Sequence, residues 1–294
     1  MYSLLHYYWK MGKGGEIMTS KKDKFGNFLC HIYLIILTII AVFPLLWIIL
    51  SSVKTTGELT SNPTSFLPKN FTLENFIHVI KDLGFAVNIK NRLLIALITT
   101  LIAITISAMA AYGIVRFFPK FGNVMSKLLV TTYMFPPILL AIPYSLVMAK
   151  IGLTNTRIGL VIVYLSFSVP YAVWMLVGFF KTVPIGIEEA AKIDGADKLQ
   201  TFVRIVLPLV MPGIVATAIY TFINAWNEFL YSLILINSTD RMTVSVALRS
   251  LQGAEILSWG DMMAASTLVV VPSIIFFMFI QRKIAAGMTE GSVK

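Results

Sequence analysis

The chain is 294 residues long, and 57% of its residues are hydrophobic while only 13% are charged. Soluble domains carry about a quarter charged residues, so this composition, with a mean hydropathy of +0.81, excludes a soluble domain and predicts an all-α integral membrane protein. The net charge of +10 does not indicate nucleic-acid binding, because the basic residues lie mainly between apolar runs. Cys30 has no second thiol for a disulfide or a metal site, and no metal site is predicted.

Six apolar segments follow one another along the chain. Each is long enough, at about 1.5 Å per residue, to cross the roughly 30 Å hydrocarbon core of a bilayer. They are residues 28–50, 93–115, 128–148, 160–180, 214–236 and 262–280. The chain therefore divides into a basic, flexible tail at 1–27, a six-span domain at 28–281 and a second tail at 282–294. Met18 could equally be the natural start.

The distribution of Lys and Arg predicts the orientation. One side of the predicted topology, which includes both tails, carries 15 basic residues, and the other side carries nine. The side richer in Lys and Arg faces the cytoplasm, so both termini are predicted to be cytoplasmic. The largest external loop, residues 51–91, contains apolar residues at helical spacing between 72 and 81, which predicts a short interfacial helix.

A polar segment between the fourth and fifth spans stands out from its apolar surroundings. This segment, residues 188–213, reads EEAAKIDGADKLQTFVRIVLPLVMPG and is called the charged island below. Hydrocarbon does not accept its charges, so it must lie in water on one side of the membrane. Pro184 ends the preceding span, a short helix is expected at 187–193, and Gly195 permits a tight turn. A second helix is expected from Lys198, with one apolar face made of Leu199, Phe202, Val203 and Val206.

The charged island resembles the EAA loop of the membrane subunits of ABC importers. Glu189, Ala190 and Ala191 are followed by Gly195 and then by the pair Leu207 and Pro208, at the spacing of that loop. SSVKTTGEL after the first span, FPP at 135–137, WNEF at 226–229 and the end QRKIAAGMTEGSVK resemble the carbohydrate branch, specifically the second permease of maltose-type systems. An amphipathic helix lying on the lipid surface is the alternative reading of the island.

The resemblance implies a type I ABC importer permease with six transmembrane helices and a cytoplasmic coupling helix in a bacterial plasma membrane. It implies that the loop at 181–213 docks on an ATPase through Glu188, Glu189, Ala190, Ala191, Asp194, Gly195, Ala196, Leu207 and Pro208. The implied partners are a second homologous permease, two ATP-binding subunits, an external solute-binding protein and a sugar or oligosaccharide. The chain has no GxxxxGK[ST] loop, so it is predicted to be no enzyme and to hold no cofactor, with ATP and Mg bound by the partner.

Glu228 is predicted near the middle of the fifth span, where an ionised carboxylate costs about 2.5 to 3.5 kcal/mol. It must therefore face protein or a water-filled path. Asn224 and Asn227 lie beside it, and Trp226 and Tyr231 add aromatic surfaces of the kind that stack on sugars. These residues are candidates for the substrate path, and hydrogen bonding between helices is the alternative.

Prolines in the third and fourth spans are candidates for a gate or for plain kinks. They are Pro136, Pro137, Pro143 and Pro170. Two other function classes are alternatives. An ion-coupled secondary transporter would need inverted repeats and several intramembrane carboxylates, and a membrane-embedded enzyme would need ionisable residues clustered at one depth. The sequence does not name the sugar.

Overall fold

The computed structural model describes residues 21–251 and 258–290. Within these ranges the chain is helical and contains no strand apart from a single β-bridge between Lys54 and Phe71, which confirms the all-α prediction. The helices are α1 (Lys21–Ser52), α2 (Thr56–Ser61), α3 (Glu74–Ile77, continued by a π-helical turn at His78–Asp82), α4 (Phe85–Arg116), α5 (Pro119–Tyr133), α6 (Pro137–Lys150), α7 (Arg157–Thr182), α8 (Ile185–Ile193), α9 (Lys198–Leu209), α10 (Met211–Asn227), α11 (Leu230–Leu235), α12 (Val244–Leu251) and α13 (Trp259–Glu290).

Fewer helices than predicted qualify as membrane spans by their length and hydropathy. Among the described residues, three helices, α1, α4 and α7, are individually long and apolar enough to cross a membrane. The third predicted span is instead the pair α5 and α6, which meet at 92°, and α9 meets α10 at 76°. Counting each bent pair as one span gives five. Six continuous spans are not confirmed. Pro136 and Pro137 lie at the break in the third predicted span, and Glu228 lies at the break in the fifth. The sixth predicted span lies in α13, whose described apolar part, Trp259–Ile275, is shorter than the length required of a span.

Helices α4, α7 and α10 form the centre of the fold. Small residues on α4, such as Ala96, Ala103 and Ala111, are fully buried and allow α7 to approach closely. A middle core cluster surrounds Tyr164 and Trp226, and a second cluster at the end that carries the charged island contains Phe180 and Val206. In contrast, α1 packs against α13 and is exposed along most of its length.

Several helix boundaries differ from the prediction. Helix α1 begins at Lys21, so the end of the predicted 1–27 tail is helical, while residues 1–20 lie outside the described residues. Helix α13 continues to Glu290 through most of the predicted 282–294 tail. Helix α4 starts at Phe85, ahead of the predicted span, because the amides of Asn88 and Asn91 on its first turns donate to the carbonyl groups at 239–242. The short helix predicted at 72–81 is present as α3 and its π turn, and its place at the membrane interface stays a prediction.

Candidate functional site

A cavity of about 530 Å³ lies among α5, α6, α7, α10 and α11. Residues 132–137 at the elbow between α5 and α6 line one part of it, and residues of α7 and α10 line another. Aromatic rings and hydroxyl or amide groups make up most of its wall. The lining residues are Thr132, Tyr133, Met134, Phe135, Pro136, Pro137, Leu140, Tyr144, Ser166, Phe167, Ser168, Tyr171, Tyr220, Thr221, Asn224, Asn227, Glu228 and Tyr231.

Glu228 lies at a break in the backbone, not inside a continuous fifth span as predicted. Helix α10 ends at Asn227, and Glu228 is extended with φ −65° and ψ 132° before α11 begins. Its carboxylate accepts hydrogen bonds from the backbone N–H groups of Tyr231, at 2.8 Å, and Ser232, at 3.3 Å, and from the hydroxyl of Tyr164. The side chain therefore satisfies the free N–H groups of the next helix and also borders the cavity.

Three other predicted path residues line this cavity with Glu228, but Trp226 does not. The side-chain amide of Asn224 donates to the carbonyl of Tyr220 at 2.9 Å, which leaves its oxygen available, and Asn227 is exposed. Trp226 is only 3% exposed. Its indole N–H donates to Ser273, and its ring lies 4.9 Å from the Arg92 guanidinium, so Trp226 packs behind the wall.

The predicted prolines divide into two groups. Pro136 precedes α6 and Pro137 begins it, so both lie at the 92° elbow and both line the cavity. Pro143 lies inside α6 and Pro170 inside α7, and both helices continue through their proline. Neither proline ends its helix, although each lacks the N–H that would continue the hydrogen-bond ladder, so both stay candidates for kinks.

The charged island folds as the predicted helix, turn and helix. Helix α8 starts directly after Pro184, and Gly195 has φ +87°, a left-handed conformation that favours glycine. Asp197 and Gln200 then form a capping box at the start of α9, with the Gln200 N–H donating to the Asp197 carboxylate at 2.7 Å. The turn and the cap together fix the angle between the two helices.

The faces of the island differ from the predicted ones. Residues Thr201–Val206 form a π-helical turn, which changes the angular spacing of side chains. As a result Val206 is fully buried and Phe202 is partly buried, whereas Leu199 is 70% and Val203 47% exposed. Pro208 lies inside α9 and does not end it. The single apolar face predicted for this helix is therefore wrong.

The residues of the EAA pattern face both ways. Five residues of the pattern are exposed, namely Glu189, Ala190, Asp194, Gly195 and Pro208; Ala196 and Leu207 are partly buried, and Ala191 is buried. Glu188 turns inward: its carboxylate contacts Arg116 and accepts a hydrogen bond from the Tyr112 hydroxyl at 2.8 Å. The exposed part of the island thus includes Glu189 and Ala190 and continues over residues 192–195 and 197–200.

Comparison with known proteins identifies the family of the chain. Residues 103–290, more than half of the chain, match the family described as binding-protein-dependent transport system inner membrane component. The chain belongs to this family. This inner-membrane component is 36% identical to the trehalose transport system permease protein SugB of Mycobacterium tuberculosis, over 86% of its own length and 93% of that protein. It is 33% identical to the trehalose/maltose transport system permease protein MalG of Thermococcus litoralis, over 88% and 94% of the two chains.

A solved structure supports the fold of the component. The crystal structure of a bacterial ABC transporter involved in the import of the acidic polysaccharide alginate matches with a TM-score of 0.75 at 20% identity, covering 91% of this chain and 99% of the other. Together with the family match, this confirms the resemblance to ABC importer permeases and a transport role rather than an enzymatic one.

The inner-membrane component also has cavity residues that sequence reasoning missed. The hydroxyls of Tyr133 and Tyr220 lie 2.9 Å apart, and the Tyr171 ring stacks on that of Tyr220 with 4.1 Å between centroids. The Tyr144 hydroxyl lies 2.6 Å from that of Ser166. A tyrosine inside an apolar span is itself a signal, because its hydroxyl needs a polar partner or a wet surface.

Proposed function

We propose that this chain is the membrane-spanning subunit of an ATP-driven, binding-protein-dependent importer, and that it forms half of the pathway for a sugar or oligosaccharide. The observation that carries the proposal is the cavity, whose wall combines tyrosine rings with hydroxyl and amide groups. Aromatic faces pack against the apolar faces of sugar rings, and the polar groups replace the hydrogen bonds that sugar hydroxyls make with water. The named relatives with trehalose and maltose in their names support the same class of solute.

The charge of the cavity favours an uncharged solute. Among the described residues that line it, Glu228 is the charged one, and Lys, Arg and His are absent from the wall. A phosphate or carboxylate on the solute would meet the Glu228 carboxylate without a compensating cation from this wall, and like charges repel each other. The proposed cargo is therefore a neutral sugar.

The charged island is proposed as the contact with the ATPase. The excess of Lys and Arg on its side of the membrane supports a cytoplasmic position, and exposed Glu189 can pair with a basic residue while small Ala190 permits close approach. In this proposal two ATP-binding subunits, which hold ATP and Mg, push on the loop at 181–213. A second permease completes the pathway, and an external solute-binding protein delivers the sugar.

The geometry of Glu228 argues against the ion-coupled alternative. Both of its carboxylate oxygens already accept hydrogen bonds from the chain's own groups. A carboxylate that carries a proton or cation across the membrane must exchange these partners in each cycle. The arrangement fits a structural cap at the edge of a pathway better than an ion relay.

The test begins with the intact complex. The tagged chain is purified in detergent from its native membrane, and co-purifying proteins are identified by mass spectrometry, as is the ligand bound to the co-expressed solute-binding protein. Uptake of that radiolabelled ligand is then measured in proteoliposomes with and without internal ATP. We expect a co-purified ATPase and ATP-dependent uptake of a neutral sugar. Uptake driven by an ion gradient without ATP would refute the proposal.

A further inference from the structure

Three side chains join the charged island to the transmembrane helices. Arg116, at the last turn of α4, contacts the carboxylate of Glu188 on α8 through its Nε, and its Nη2 donates to the carbonyl of Val183 at 2.7 Å. Tyr112, one turn earlier on α4, donates to the other oxygen of Glu188. The side chains of Arg116 and Glu188 are only 11% and 13% exposed. This group is called the Arg116 clamp below.

The clamp spans the hinge between α7 and α8. Val183 and Pro184 alone separate the two helices, and both are extended, with ψ angles of 117° and 137°. The Val183 N–H donates back to Phe180 and the Pro184 carbonyl accepts from Ile187, each at 3.3 Å. Each of these bonds stays with one helix, so neither joins α7 to α8. Arg116 holds the hinge carbonyl and the first turn of α8 at the same time, and the planar guanidinium can bind two acceptors in a fixed geometry.

The clamp also reaches the second helix of the island. The ring of Tyr112 packs against Phe202 of α9 with 4.8 Å between centroids. Tyr112 and Arg116 are four residues apart on α4, so they lie on the same face of that helix. One face of α4 therefore holds α8 by hydrogen bonds and α9 by ring packing.

Helix α7 connects the hinge to the cavity. The cavity wall includes Phe167 and Tyr171 of α7, and α4 packs along the same helix, with the Ser107 hydroxyl 3.4 Å from the carbonyl of Val169. We propose that Arg116 is a positioning residue that makes α8 rigid with α7, so that displacement of the island moves the α7 wall of the cavity. This inference rests on the proposed coupling role of the island.

The test compares Arg116→Lys with wild type in the assembled complex. Lysine keeps the positive charge beside Glu188, but a single ammonium group cannot reproduce the fork that holds Glu188 and Val183 together. Spin labels are attached at Gly178→Cys on α7, where an added side chain meets nothing within 4 Å, and at Lys192→Cys on α8, in a Cys30→Ser background. The distance distribution between the labels reports the rigidity of the hinge.

We expect Arg116→Lys to broaden this distribution. We also expect it to raise the ATP hydrolysed per sugar imported by about fivefold, the lower end of common coupling effects. If Arg116 only stabilised the fold, complexes that remain assembled would keep both the wild-type distance distribution and the wild-type ATP use per sugar. Lys120→Ala, which removes an exposed cation from the same end of the bundle, is the matched control and should leave both unchanged.

The outcomes separate the clamp from the proposed function. An unchanged distribution, or a broadened one with unchanged ATP use per sugar, would overturn the clamp. If Arg116→Lys does not assemble, Glu188→Ala decides, because alanine offers no acceptor to Arg116 or to Tyr112. A distance distribution as narrow as that of wild type would again overturn the proposed role of the clamp. If wild-type protein shows no ATP-dependent import, the proposed function fails, while the label distances still test the rigidity of the hinge.

Discussion

Replacing Gly213 with alanine should destabilise the junction between the charged island and the cavity helices. A Cβ atom at Gly213 would lie 2.2 Å from Cγ of Phe179 and 2.5 Å from each Cδ of that ring. Ordinary carbon contacts are about 3.5 to 4.0 Å. Rotating the ring about χ2 leaves Cγ in place, so relief needs either a different χ1 rotamer of Phe179 or separation of α7 and α10, and both are costly in a packed contact.

The size of the effect follows from two opposing contributions. Overpacking costs about 1 to 3 kcal/mol, whereas replacing glycine by alanine inside a helix gains up to about 1 kcal/mol. Gly178→Ala is the matched control, since Gly178 lies in the interior of α7 and an added Cβ there meets nothing within 4 Å. The propensity gain largely cancels between the two variants, so Gly213→Ala should be less stable than Gly178→Ala by about 1 to 3 kcal/mol.

The assay is unfolding of the purified chain in mixed detergent micelles, followed by circular dichroism as the fraction of sodium dodecyl sulfate is raised. We expect the free energies of unfolding to rank Gly178→Ala, then wild type, then Gly213→Ala. Equal stability of the two variants would show that α7 and α10 do not approach as closely as described, and would refute the reasoning.

Three further changes test other parts of the structure. Gly195→Val forces a β-branched residue to φ +87°, which should cost about 1 to 3 kcal/mol and reduce uptake in proteoliposomes; wild-type uptake would contradict the role of the turn. Glu228→Gln removes one acceptor oxygen from the start of α11 and should lower the free energy of unfolding by about 1 to 3 kcal/mol, so unchanged stability would argue against the cap. The backbone N–H of Lys69 donates to Glu58 and lowers the pKa of that carboxyl from its ordinary 4.5. The ionised Glu58 therefore contributes its full stabilisation above pH 4.5. This stabilisation is lost as the pH falls through the lowered pKa. Glu58→Gln should make the melting temperature depend less on pH on the acid side. A slope as steep as that of wild type would contradict the stabilising role of the Glu58 carboxylate.

Local chemistry made the charged island predictable from the sequence. Pro184 can end a helix, and Gly195 can adopt a left-handed conformation, whatever the rest of the chain does. The exposed position of Leu199 was not predictable in the same way, since a π-helical turn depends on packing and has no clear sequence signature. The helical face assigned from an ideal period of 3.6 residues per turn therefore failed at that point.

The candidate cavity was predictable in composition but not in geometry. Asn224 and Glu228 were recognisable because polar side chains in an apolar span need a partner. Trp226 has the same neighbours in sequence but points into the core, and only the break after Asn227 and the contact with Ser273 reveal this. The elbow at Pro137 was expected as a kink, and its size depends on how α5 and α6 pack against the other helices.

The tyrosines of the cavity are already bonded before any solute arrives. Tyr133 pairs with Tyr220, Tyr144 with Ser166, and the Tyr231 hydroxyl donates to the carbonyl of Pro137 at 2.9 Å. A sugar hydroxyl that binds one of these groups replaces an existing bond, so the net gain in free energy is small. The hydroxyls of this wall exchange one hydrogen-bond partner for another with little gain in affinity, and a weakly held solute dissociates quickly. Short residence is what a conduit requires, in contrast to a receptor, whose task is to retain its ligand.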